Sequence, residues 1–205
     1  MRNMIVIVAL ATICLLTMLP QSSFAQCATG AANDDLATAI RSFGTQNADP
    51  IEINYGESFV IDCDAHLTSV EATIELTEVI TDGRHPAVMG NLVQCTVYDS
   101  AKVAVMSEQL AIPTTEAEQK LIFDFSNREF RLAAGQYYFL LSTPEDCWAY
   151  IRMGSEYADG DATLYMLDTW TTQSGDTMFN IQWDASSTLV STQVMSWGTA
   201  KGLYR

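Results

Sequence analysis

The sequence predicts an all-β protein, an antiparallel β-sandwich with eight or nine strands, carrying a signal peptide and a short N-terminal segment. Three observations lead there. Apolar residues recur with period 2 in short runs bounded by Asp, Gly, Pro or Ser, at spacings of roughly 8–15 residues. No long amphipathic helix separates these runs. Hydrophobic residues make up 48% of the 205-residue chain and charged residues 17%, ample material for one core.

The N-terminus reads as a targeting segment. Arg2 supplies a basic start, Met4 to Leu19 an apolar run and Pro20 a helix break. The run is short for a membrane span, which needs about 20 apolar residues. Ser23-Phe24-Ala25 puts small residues where a signal peptidase reads them, so residues 1–25 are expected to be removed, leaving no membrane span. Residues 26–50 form a linking segment. Within it Asn33-Asp34-Asp35 would cap a short helix through Phe43, with Leu36, Ala39, Ile40 and Phe43 on one side and Gly44 as its stop.

Strand alternation defines a domain over residues 51–184. Phe59, Ile61 and Cys63 face one way, Ser58, Val60 and Asp62 the other. From Leu67 to Leu76, Val70, Ala72, Ile74 and Leu76 point in and Ser69, Glu71, Thr73 and Glu75 point out. Thr81 to Gly90 reads as a loop. Strands follow at Leu92 to Tyr98, at Val103 to Leu110 (an edge strand) and at Leu121 to Phe125. Three consecutive strands then occupy the stretch Arg131 to Asp168, on which the rest is organised: Gln136 to Leu141, Cys147 to Met153 and Ala162 to Leu167. Thr169 to Thr177 reads as a polar loop and Met178 to Trp183 as a further strand. Residues 185–205 form a tail or one extra strand.

The segments GESFVIDCDAHLTSVEATI, LVQCTVYDS, LAAGQYYFLLS, CWAYIRM, DATLYML and MFNIQW, in this order over residues 51–183, carry a resemblance. The chain resembles the jelly-roll β-sandwich modules of exported bacterial proteins and is similar to carbohydrate-binding modules and galactose-binding-like domains. The resemblance implies the fold and a tendency to bind glycans or serve as an accessory surface module. Its motifs are structural and transfer no site residues.

Three constellations could carry chemistry. In the strand 147–153, Cys147, Ala149, Ile151 and Met153 fall on the core face, and Trp148, Tyr150 and Arg152 on the other. Two aromatic rings and a planar cation suit a sugar: rings cover the apolar face of a pyranose and a guanidinium donates paired hydrogen bonds. Tyr138 on the preceding strand extends this surface. The competing reading is that another part of the chain covers this face and Trp148 is plain core. The second constellation is acidic: Glu145-Asp146 in one loop, Glu156 and Asp159-Gly160-Asp161 in the next. Glu145, Asp159 and Asp161 are candidate ligands for a structural calcium ion, although Asp and Gly also abound in turns for conformational reasons. The third is Glu71 and Glu75, two pleats apart on one wet face, a pair of carboxylates of the kind that glycoside hydrolysis uses.

Cys27, Cys63, Cys95 and Cys147 remain after signal-peptide removal, an even number that suggests two disulfides in an oxidising compartment, with Cys95 also readable as a buried thiol. No CxxC is present, and His66 and His85 are the only histidines, so zinc is not expected. A net charge of -15 repels phosphate and anionic lipid, setting nucleic acid and membrane surfaces aside as partners. No GxSxG or HExxH occurs. The expectation is a secreted or cell-surface, non-catalytic β-sandwich that binds a glycan or a cell-surface protein. The alternatives are a structural or adhesive subunit, contacting its partner through Leu189 to Tyr204, and a small glycan-active hydrolase.

Overall fold

The computed structural model describes residues 28–33, 39–46, 51–76, 85–128, 131–154 and 157–185. They hold twelve strands and no helix: β1 (Gly30–Asn33), β2 (Ile40–Gln46), β3 (Ile51–Ile61), β4 (Ala65–Glu75), β5 (Leu92–Tyr98), β6 (Ala104–Ala111), β7 (Glu118–Asp124), β8 (Gly135–Ser142), β9 (Trp148–Arg152), β10 (Ala162–Met166), β11 (Thr169–Thr172) and β12 (Phe179–Ala185). Every strand pairing is antiparallel. The proposed signal peptide and the segment 186–205 lie outside the described residues. Among the described residues no helix is long and apolar enough to cross a membrane.

The strands make one connected sheet along the path β1-β12-β4-β9-β2-β3-β8-β5-β6. β7 lies on the other edge of β4, and β10 followed by β11 on the other edge of β3. Two long strands make this possible. β12 pairs with residues 65–72 of β4 and β9 continues along the same edge at Ile74 and Glu75. β8 and β2 likewise share one edge of β3. The pair β2–β9 therefore links two groups of strands, and the sheet folds back over its inner face. Rings far apart on the path meet there: Phe59 of β3 stacks on Trp183 of β12 at 6.4 Å, and Phe139 of β8 lies 5.7 Å from Phe179 of β12. Full burial of such a side chain is worth about 1.5–3 kcal/mol.

Period-2 alternation decides the faces. On β7, Gln119, Leu121 and Phe123 are buried while Lys120, Ile122 and Asp124 are exposed. On β8, Tyr137, Phe139 and Leu141 turn inward and Tyr138 turns out. β6 ends the path, as an edge strand should.

Four expectations need correction. Residues 40–43 are strand, not the end of a helix. Ile40–Gly44 pairs with β9 and Gly44–Gln46 with β3, and this ladder on both sides outweighs a weak helical pattern; Phe43 is fully buried. The Asn33 amide donates to the carbonyl of Thr177 at 3.1 Å. The polar loop expected over 169–177 contains β11. The strands number twelve, because the N-terminal segment supplies β1 and β2 and a hairpin supplies β11. Cys95 and Cys147 are buried free thiols, so neither belongs to a disulfide. Burial pushes both thiols up in pKa, which makes them packing groups rather than nucleophiles.

Candidate functional site

β9 splits as its alternation requires: Cys147, Ala149, Ile151 and Met153 are all buried. Its other face is closed at Trp148 and partly open at Tyr150 and Arg152. Trp148 is only 1% exposed. The Trp148 N–H donates to the carbonyl of His85 at 2.8 Å, and Ala87 N–H donates to the Trp148 carbonyl at 2.7 Å. The stretch 85–87, inside the loop expected over 81–90, thus runs beside residue 148. On the other flank, a side chain at Gly44 (φ 146°) would collide with the Cys147 carbonyl oxygen and Trp148 Cα and then meet the indole at 3.1 Å, so glycine lets β2 approach β9 this closely. Tyr150 is half-buried. Arg152 is committed to two carboxylates, Nε to Glu75 at 3.1 Å and Nη2 to Glu118 at 2.6 Å, and ties β9 to β4 and β7. Trp148 offers no ring to a ligand, because the indole is sealed from solvent.

Tyr138 belongs to a different surface. Cross-strand pairing on the outer face sets it opposite Tyr98 of β5 and Ser58 of β3. The β10–β11 hairpin brings Tyr165 and Trp170 as a paired couple. Trp170 is the hub of the cluster: its ring centroid lies 5.0 Å from Tyr98, 5.7 Å from Tyr138 and 5.3 Å from Tyr165, in edge-to-face or tilted geometry. The Tyr165 hydroxyl donates to Asp168 Oδ1 at 2.8 Å, fixing that ring. Beside the rings opens a cavity of about 180 Å³, lined among others by Lys102, Gln136, Tyr138, Asp161, Trp170 and Thr171.

Two tight hairpins aim these groups. Among the described residues, non-glycine positive φ occurs at Lys102 (64°), Leu167 (50°) and Asp168 (59°), and all three sit beside this cluster. Leu167-Asp168 is the two-residue turn of β10–β11, with both central residues left-handed as that turn type demands. Lys102 lies at the tip between β5 and β6, where Asp99 Oδ1 accepts the N–H groups of Ala101 and Val103, each at 2.9 Å. The left-handed region costs a non-glycine residue about 1–2 kcal/mol, and such strain gathers at functional sites.

The acidic loops behave differently from a cation site. Glu145 accepts from Asn91 Nδ2 at 2.6 Å and from Leu92 N–H at 3.3 Å. Asp161 is clamped by its backbone to Ser58, with Ser58 N–H donating to its carbonyl at 3.0 Å and its own N–H donating to Ser58 Oγ at 2.7 Å. Glu145, Asp159 and Asp161 do not converge, and among the described residues no group of three or more His, Cys, Asp or Glu is placed to hold a metal ion. Asp161 instead shares the aromatic cavity with Tyr138. Glu71 pairs with Lys120 at 2.8 Å and Glu75 with Arg152.

Sequence reasoning missed two parts. Trp170 was hidden in a loop because Leu-Asp is not a usual turn pair; the β-formers of Thr-Trp-Thr-Thr were the available signal. Glu57 on β3 is fully buried, and nothing in GESF marks it. It accepts N–H groups from Ser58 at 3.2 Å and Thr177 at 2.9 Å. Burial pushes its pKa up to about 8; those backbone donors oppose the shift and the nearby charge of Asp176 adds to it. Asp176 accepts from Ala162 N–H at 3.2 Å and from Tyr157 N–H. The two carboxyls thereby fasten the start of β10, and with it the hairpin that carries Trp170, to β3. No protein-family model matches the chain, and no curated protein matches it in sequence.

Proposed function

We propose that the protein is an exported, non-catalytic carbohydrate-binding module of jelly-roll β-sandwich type, whose site is the outer-face cluster of Tyr98, Tyr138, Tyr165 and Trp170. The observation that carries this is the half-buried Trp170, flanked by three tyrosines and opening on a small cavity edged by Gln136, Asp161 and Thr171. Rings take the C–H face of a sugar, and a few polar side chains at the rim take its hydroxyls. The sheet that folds back on a ring-packed core supports the sandwich reading, and residues 1–25 support export. Tyr138 stays in the proposed site; Trp148, Tyr150 and Arg152 leave it.

One disulfide accompanies this reading. With Cys95 and Cys147 free, Cys63 and Cys27 are the remaining pair. Ala28 N–H donates to Asp62 Oδ2 at 3.3 Å, which brings the neighbours of the two cysteines together.

The test is a glycan array followed by calorimetry on the best ligand. Trp170→Ala should weaken binding at least about tenfold, worth ~1.4 kcal/mol, with the fold intact. Absence of any glycan binding by the folded protein, or full binding by Trp170→Ala, would sink the reading.

A further inference from the structure

The aromatic cluster already holds a cation. Lys102 Nζ lies 2.8 Å from the centre of the Tyr138 ring and 4.5 Å from that of Trp170. Among the described residues it forms no salt bridge. The π faces alone therefore replace part of its water, within the ~6 Å range where such attraction operates. Carboxylates ring the site. Glu52 acts electrostatically on Tyr98 and Tyr165, Asp168 is bonded to Tyr165, and Asp161 lines the cavity. The whole chain carries a net charge of -15, which draws cationic ligands and repels anionic ones. Lys102 reaches the rings from a hairpin tip closed by Asp99, so its side chain can swing out while the tip keeps its shape.

We infer that the glycan bound at this site carries free amino groups, and that a protonated amine of an amino sugar takes the place of Lys102 Nζ between Tyr138 and Trp170. This rests on the carbohydrate-binding reading and adds the ligand's charge to it. A neutral N-acetylated sugar offers the rings its C–H face only. The free-amine form adds the cation–π attraction and the pull of the surrounding carboxylates. Lys102 is then a resident competitor that ligand must displace.

The experiment titrates the full chain, followed by tryptophan fluorescence, with six-unit oligomers of glucosamine and of N-acetylglucosamine. It is run at about pH 5.5, well below the pKa of an ordinary amine. Lys102→Gly empties the cage and suits the left-handed backbone there. Lys120→Ala removes a positive charge elsewhere and serves as control. The glucosamine oligomer should bind at least about tenfold tighter than its acetylated form, and Lys102→Gly should raise that affinity about three- to tenfold, while Lys120→Ala leaves it within about twofold. Equal affinity for the two oligomers overturns the inference and leaves the carbohydrate reading standing. Weaker binding by Lys102→Gly also overturns it, since Lys102 would then be a ligand contact. Binding of neither oligomer by the wild type or by Lys102→Gly overturns the inference, and if the glycan array is also blank the carbohydrate reading falls with it.

Discussion

Trp148 and Trp170 are the same residue type on neighbouring parts of one fold, and they have opposite fates. Trp148 sits on a strand between two partners, with residues 85–87 beside it and Gly44 against its ring. Trp170 sits on the outermost strand of a hairpin, half-covered by three tyrosines and a lysine. Strand alternation placed both away from the inner core. What separates them is that the ring of Trp148 is sealed from solvent while that of Trp170 stays half open. The lesson is that an aromatic on a strand's second face marks a site only where the topology leaves that face open.

The largest expected effect tests the buried member. Trp148→Ala should lower unfolding free energy by about 3–5 kcal/mol, read by denaturant melts, because it leaves a cavity where a fully buried indole stood. A loss below about 1 kcal/mol would mean that the indole is not packed as described. Trp170→Ala, in contrast, should cost about 1 kcal/mol or less while weakening the proposed glycan binding at least about tenfold.

Glu57 supplies the next effect. Its folded pKa of about 8 lies above the ordinary 4.5, so the folded state holds the proton more tightly than the unfolded chain. Its contribution is fully favourable below about pH 4.5 and is lost as pH rises through 8. Stability should therefore fall across that window by up to about 1.4 kcal/mol per pH unit from this group alone. Glu57→Gln should flatten the slope in melts taken from pH 4.5 to 8. An unchanged slope would show that Glu57 is ionised when folded.

Smaller effects sharpen the open member. Replacing Leu167-Asp168 by Asn-Gly relieves two left-handed residues and should raise stability by about 1 kcal/mol. It also removes the carboxylate that holds the Tyr165 hydroxyl, so ligand affinity should fall two- to threefold, on the order of 0.5 kcal/mol. Smallest of all, Lys120→Ala should cost at most about 0.5 kcal/mol, since the Lys120–Glu71 pair is exposed on the lysine side.

The inner face was legible because alternation is a local property. Val70, Ala72 and Ile74 on β4, and Tyr137, Phe139 and Leu141 on β8, are buried as their spacing requires. Tyr138 was legible as an outward-facing residue for the same reason. Its partners were not, because Trp170, Tyr98 and Lys102 reach it from three other elements, and a Leu-Asp hairpin carries no turn signature. The cysteines were legible in number but not in role: Cys95 follows the inward rhythm of β5 and is packed as a small apolar group.

By itself the sequence determined the β class, the inward set of most strands, the acidity of the chain and many of its turns. Each follows from residues within a few positions of one another. Only the tertiary structure decided that β2 is a strand, that Trp148 is sealed, that Glu57 is buried beside Asp176 and that three tyrosines gather around Trp170 with Lys102 against two of the four rings. Those outcomes depend on which strands become neighbours, and neighbours on a folded-back sheet are chosen by the closure of the whole core rather than by any local run of residues.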